Sequence, residues 1–179
     1  MIGCDEAYGF ASDRQYKDKD KAKILVNHIN KIASYLKSRG RTSLMWADML
    51  LSYELFQAPN VTCGLKQEVC EKILHGLDRE IVLTDWQYWT KEPEMPTSAY
   101  LSTHGFKLVI APWNDKKTTT ICMQNVEKHE YYGFMQTTWQ DIFRNFWLIP
   151  FGAINAWCGS EKAEKMYRLE SEVLTVSAK

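Results

Sequence analysis

Ile81-Val82-Leu83-Thr84-Asp85-Trp86-Gln87-Tyr88-Trp89 is the stretch on which the fold turns. It starts as a continuous apolar run and passes within a few residues to polar and aromatic groups. A strand covered on one face alternates apolar and polar residues, whereas a strand covered on both faces reads apolar throughout. The run therefore predicts a parallel strand between helices, its carboxyl end opening on a polar, aromatic surface. Phe106 to Ala111 repeats the pattern and ends at Pro112-Trp113-Asn114-Asp115. Ser43 to Ala47 leads to Asp48, Tyr132 to Thr137 leads to Thr138-Trp139-Gln140-Asp141, and Ile2 to Cys4 leads to Asp5-Glu6.

Helical patterns fill the intervals. Lys21 to Ser38 places Ile24, Leu25, His28, Ile29, Ile32, Ala33 and Leu36 on one face, with Gly40 closing the helix at its C′ position. Lys66 to His75 turns Val69, Ile73 and Leu74 inward, and Thr97 to Thr103 starts a short helix after Pro93 and Pro96. Thr118 to His129 is another, Ile142 to Trp157 has helical spacing broken at Pro150, and Ser160 to Leu174 reads as a terminal amphipathic helix. Strands alternating with helices define an α/β fold with a parallel sheet.

Each of the five expected strands ends in acidic or aromatic residues: Asp5 and Glu6, Trp46 and Asp48, Trp86 and Tyr88, Trp113 and Asp115, Trp139 and Gln140. Taken alone, Asp5-Glu6 reads more readily as a polar terminus followed by a loop than as an acid pair. Five such strand ends together point to one polar, aromatic pocket, the way a (β/α) barrel assembles its site. Five strands do not close an eight-stranded barrel. The expected fold is thus a partial (β/α)8 TIM barrel, roughly strands 4 to 8 with their helices, occupying residues 1–179 as a single incomplete domain without the N-terminal strands. An unpaired first strand predicts association, as a homodimer through the open barrel edge, or rearranged strands. A doubly wound domain would carry a Gly-rich phosphate loop after its first strand, which Gly3 and Gly9 do not form.

The 22 basic residues balance 22 acidic ones, which favours neither nucleic acid nor an anionic membrane as a partner. Arg14 to Lys23 alternates in sign, as a solvated loop and helix start does. The aromatics beside the strand ends suit the apolar faces of sugars, although cores use the same residues. Five scattered cysteines, Cys4, Cys63, Cys70, Cys122 and Cys158, point to free thiols and away from a zinc site. No apolar run approaches membrane-spanning length, and Met1 leads directly into strand-like sequence, as in a cytoplasmic product; if the chain starts inside a longer one, its location is open. His28, His75, His104 and His129 read as structural or surface residues, the last complementing a helix dipole.

Ile2-Gly3-Cys4-Asp5-Glu6-Ala7 resembles the fourth-strand motif of glycoside hydrolase family 20, the β-N-acetylhexosaminidases, whose common form is H-x-G-x-D-E. Leu44-Met45-Trp46-Ala47-Asp48-Met49-Leu50 is similar to the family's fifth strand and Val82-Leu83-Thr84-Asp85-Trp86-Gln87-Tyr88 to its sixth. Gly105 to Ile110 and Gly133 to Trp139 stand where strands seven and eight belong, so the similarity spans most of the chain in order, nearest the family's short hexosaminidase D group.

The resemblance implies a retaining, substrate-assisted removal of terminal β-linked N-acetylhexosamine from a glycan, in which the 2-acetamido oxygen attacks the anomeric carbon. Glu6 would protonate the leaving oxygen, and Asp5 would orient the acetamido N–H and stabilise the oxazolinium-like cation. Trp46, Trp86 and Trp139 would wall the sugar subsite, with Asp48, Tyr88, Trp113 and Gln140 as further binding residues and no cofactor or metal. The family usually follows its last-strand Trp with Glu, where this chain has Gln140 and Asp141, and its seventh-strand Tyr has no counterpart in Pro112 to Asp115. The Arg and His that the family carries on strands one to three have no counterpart either, so the isolated chain is expected to be inactive. A non-catalytic carbohydrate-binding remnant of the same barrel is the alternative.

Overall fold

In a computed structural model the chain is described over residues 1–10, 14–139, 146–163 and 165–166. Helices and strands alternate along it: α1 (Lys21–Lys37), β1 (Leu44–Trp46), α2 (Gln67–Gly76), β2 (Val82–Trp86), α3 (Pro96–Thr103), β3 (Lys107–Ala111), α4 (Lys116–His129), β4 (Gly133–Phe134) and α5 (Leu148–Cys158). The strands form one parallel sheet in the order β1-β2-β3-β4. Each strand neighbours the next in sequence with a helix between them, as βαβ units require.

By packing, the chain divides into two compact units, Met1–Trp86 with Met95–Val109, and Gln87–Glu94 with Ile110–Lys179. In the first, Asp20 caps α1 by accepting from the Lys23 amide at 3.1 Å. The helix buries Ala22, Leu25, Ile29 and Ala33, the stripe that its sequence spacing predicts. Its cap falls at Ser38, and Gly40 takes its left-handed turn (φ +66°) two residues further on. Helices α1 and α2 approach closely at Gly76, where a Cβ would stand 3.0 Å from both methyls of Val26. Asn30 clasps the same junction, donating to the Gly76 carbonyl at 2.9 Å and accepting from the Asp78 amide at 3.0 Å. Strand β2 is buried along its whole length, as its apolar run requires, and pairs in parallel register with β1.

In the second unit, Asp115 caps α4 by accepting from the Thr118 amide at 2.7 Å, and Lys91 reaches the same carboxylate at 2.8 Å. The helix buries Ile121, Cys122, Met123 and Val126. Helix α5 contributes Leu148 and Phe151, and Gly152 lets it approach Gln136, whose side chain a Cβ at that position would meet at 3.0 Å.

Three expectations need correction. Among the described residues there are four strands, not five: Ile2 donates to the Leu44 carbonyl at 2.7 Å and Trp46 to that of Gly3 at 3.1 Å, so this segment lies along β1. Positive φ at Gly3 (86°) and Cys4 (68°) then turns the backbone out of the ladder. Pro150 does not break the last long helix but lies in the first turn of α5, where an amide proton has no intrahelical partner to lose. Strand β4 is two residues long, its backbone pairing continuing through Met135 to Ile110 and Thr137 to Pro112. The start of the helix expected from Ile142 and most of that expected to reach Leu174 lie outside the described residues.

Candidate active site

Asp48 organises the acidic end of the first unit. It follows β1 closely, is 1 % exposed, and accepts hydrogen bonds on Oδ2 from the Thr62 hydroxyl and from the Glu6 amide at 2.8 Å, while its Oδ1 is buried without a partner. The two donors come from separate places in the chain, the segment beside β1 and the loop before α2. Burial pushes the carboxyl above its ordinary range, and these hydrogen bonds oppose that rise.

Glu6 is thus fixed by its backbone, at φ +46°, while its carboxylate faces solvent and accepts from the Tyr8 hydroxyl at 3.0 Å. Asp5 is exposed beside it. The half-buried Cys4 thiol is held up in pKa by burial and by the negative charges of Asp5 and Asp48, which keeps it neutral between two acids. Next to this segment lies an open cavity of about 290 Å³ bordered by Ala7, Tyr8, Met49 and Thr62. That is the lower limit for small-molecule sites.

Of the expected binding residues in this unit, Trp86 and Trp46 are both buried, at 7 % and 5 % exposure. Asp85, inside the motif that decides the fold, is structural. It is 1 % exposed and accepts from Asn60 at 2.8 Å, Thr97 at 2.9 Å and Ser98 at 2.7 Å, a network that ties β2 to the start of α3.

The second unit gathers the remaining aromatics. The Tyr88 and Trp113 rings lie 5.6 Å apart at 59°, and the Trp139 indole donates to the Tyr88 hydroxyl. Trp139 is 44 % exposed, and Trp89 stacks edge-on against Tyr88 from the other side. Gln136 braces the group by donating to the Trp113 carbonyl at 2.7 Å. Tyr88 and Trp113 are half-buried and Trp139 is exposed, an aromatic cluster of the kind that sugar recognition uses. Gln140 lies outside the described residues.

The sequence reading did not identify Thr62, 14 residues after Asp48, or the grouping of Glu71, His75 and His104. The first has no sequence signal, because a loop hydroxyl finds its acceptor only in the folded chain. For the second, Glu71 and His75 at i, i+4 were the available clue. Searches with protein-family models and against curated proteins find no match to this chain.

Proposed function

We propose that the chain is the C-terminal part, strands 4 to 8, of a (β/α)8 barrel of the glycoside hydrolase family 20 type, acting on terminal β-linked N-acetylhexosamine of a glycan. The observation that carries this reading is the junction at Asp48, where the Asp5-Glu6 segment and the loop before α2 are joined to the end of β1 through one buried carboxylate. Strand ends converging on one acidic centre are the way a barrel builds its site.

In this reading Glu6 donates its proton to the glycosidic oxygen. Asp5 accepts a hydrogen bond from the acetamido N–H, and its negative charge stabilises the positive charge that develops on the substrate as the acetamido oxygen closes on the anomeric carbon. The Tyr8 hydroxyl orients Glu6, and Asp48 is a positioning residue that holds the Glu6 backbone. Both catalytic carboxylates face solvent in this chain, whereas an acid catalyst works best beneath apolar cover. Turnover by the isolated chain is therefore expected to be slow.

Binding tests the reading without turnover. An N-acetylglucosamine thiazoline, an analogue of the cyclised intermediate, is expected to bind at least about a hundredfold tighter than N-acetylglucosamine. Asp5→Asn should abolish that margin, and Glu6→Gln should abolish residual hydrolysis of a chromogenic N-acetylhexosaminide. Equal binding of the thiazoline and of glucose would overturn the assignment. The aromatic cluster of half-buried Tyr88 and Trp113 with exposed Trp139 favours a second reading, a non-catalytic sugar-binding barrel. Its signature is sugar affinity that falls with Trp139→Ala and does not depend on Glu6.

A further inference from the structure

We propose a zinc-class divalent metal site formed by Glu71, His75 and His104, distinct from the acidic centre at Asp48. Glu71 and His75 stand one turn apart on α2, and His104 is the cap residue of α3. The His104 Nε2 is 3.1 Å from Glu71 Oε2, the His75 Nδ1 is 3.5 Å from the same oxygen, and one ligand atom from each residue lies within 4.8 Å of the other two. Ligand atoms bound to zinc at about 2.0–2.2 Å in tetrahedral array stand about 3.3 Å apart. The two separations from Glu71 Oε2 are thus already near the spacing that the ion imposes, and the two imidazole nitrogens lie within 4.8 Å of each other. Two imidazoles and a carboxylate match the donor softness of zinc and leave a fourth position for water.

The surroundings orient this set as outer-shell groups orient metal ligands. His104 Nδ1 lies 2.9 Å from the Tyr100 carbonyl, an acceptor that keeps a proton on Nδ1, while Nε2, 3.1 Å from Glu71 Oε2, becomes a ligand when the metal displaces its proton. The other carboxylate oxygen, Glu71 Oε1, is occupied by the Tyr100 hydroxyl and by Gln67 at 3.0 Å, so Oε2 alone is presented to the imidazoles. The side chain of His104 is 14 % exposed and that of Glu71 32 %, so both are partly withdrawn from bulk water. His75 is the adaptable member. Its side chain is 70 % exposed, and its Nδ1 leaves the Glu71 carbonyl, 2.8 Å away, when it turns to the ion. A metal held here would pin α2 to the end of α3.

The test is calorimetric titration of ZnCl2 into the tag-free chain, with Co2+ as a spectroscopic substitute. One equivalent is expected to bind, to raise the melting temperature, and to give Co2+ the visible absorption of a four-coordinate site. His75→Gln changes an exposed side chain and leaves the fold intact. It and His104→Gln should each weaken binding more than about a hundredfold, and Tyr100→Phe about 10- to 100-fold. Cys63→Ser should leave affinity unchanged, which separates this site from the Cys63 and Cys70 thiols, 3.5 Å apart in the core. Zinc affinity unaltered in His75→Gln, or absence of binding in the unmodified chain, would overturn the proposal.

Discussion

Replacing Asp48 by Ala removes the acceptor shared by Thr62 and Glu6. A hydrogen bond to a charged acceptor contributes about 1.5–3 kcal/mol, so two lost together would cost about 3–6 kcal/mol. Against that, the substitution relieves the burial of a carboxylate that is 1 % exposed, and burial is the dominant influence on this group, since it raises the pKa despite its hydrogen bonds. The net expectation is a loss of about 3 kcal/mol. With a urea slope of about 2 kcal/mol per molar, the unfolding midpoint falls by about 1.5 M.

The pH dependence has an unusual sign. The folded-state pKa lies above the ordinary 3.8, so the native state holds this proton more tightly than the unfolded chain does. Asp48 therefore stabilises the fold most at acid pH, and its contribution declines as the pH rises from the unfolded value through the folded one. The deficit of Asp48→Ala should be largest near pH 3 and smaller at pH 7. Urea titrations of both proteins across that range measure it. A midpoint shift under about 0.3 M, or a deficit that grows with pH, would refute the reasoning.

Asp115 should behave oppositely. Burial raises its carboxyl, but Lys91 and the Thr118 hydrogen bonds outweigh it and the net shift is downward. Its contribution is present above the unfolded value and lost as the pH falls through the folded one, so Asp115→Ala should cost about 1 kcal/mol at pH 7, as a lost N-cap does, and much less at pH 3 in paired thermal melts. Gly76→Ala forces a methyl against Val26 and should lower stability by about 1–3 kcal/mol by chemical denaturation. Adding Val26→Ala to that variant should recover part of the overpacking cost.

The buried strands were legible because burial on both faces writes itself as a run of apolar residues: Val82 to Leu83 and Leu108 to Ala111 are buried throughout. Helix α1 was equally clear from its stripe and its capping Asp20. Ends were less so. Residues 2 and 3 keep strand pairing with no strand continuing beyond them, because left-handed torsions at Gly3 and Cys4 leave no mark in the apolar pattern. The pairing of Asp48 with Glu6 spans 42 residues and that of Glu71 with His104 spans 33. Neither follows from spacing, since both depend on how finished elements pack. Trp46 and Asp85 carried the right residue type for a binding site, and the fold used them as core and as a buried hydrogen-bond hub.

The left-handed torsions of Cys4 and Glu6 also bear on energy storage. Each non-glycine residue in that region costs about 1–2 kcal/mol, so the segment stores about 2–4 kcal/mol as it passes the two carboxylates. The restraints that hold it are the Glu6 amide bond to Asp48 at 2.8 Å, the Tyr8 hydroxyl on the Glu6 carboxylate at 3.0 Å, and the pairing of residues 2 and 3 with β1. The acid pair is thus carried on a strained turn anchored on both sides.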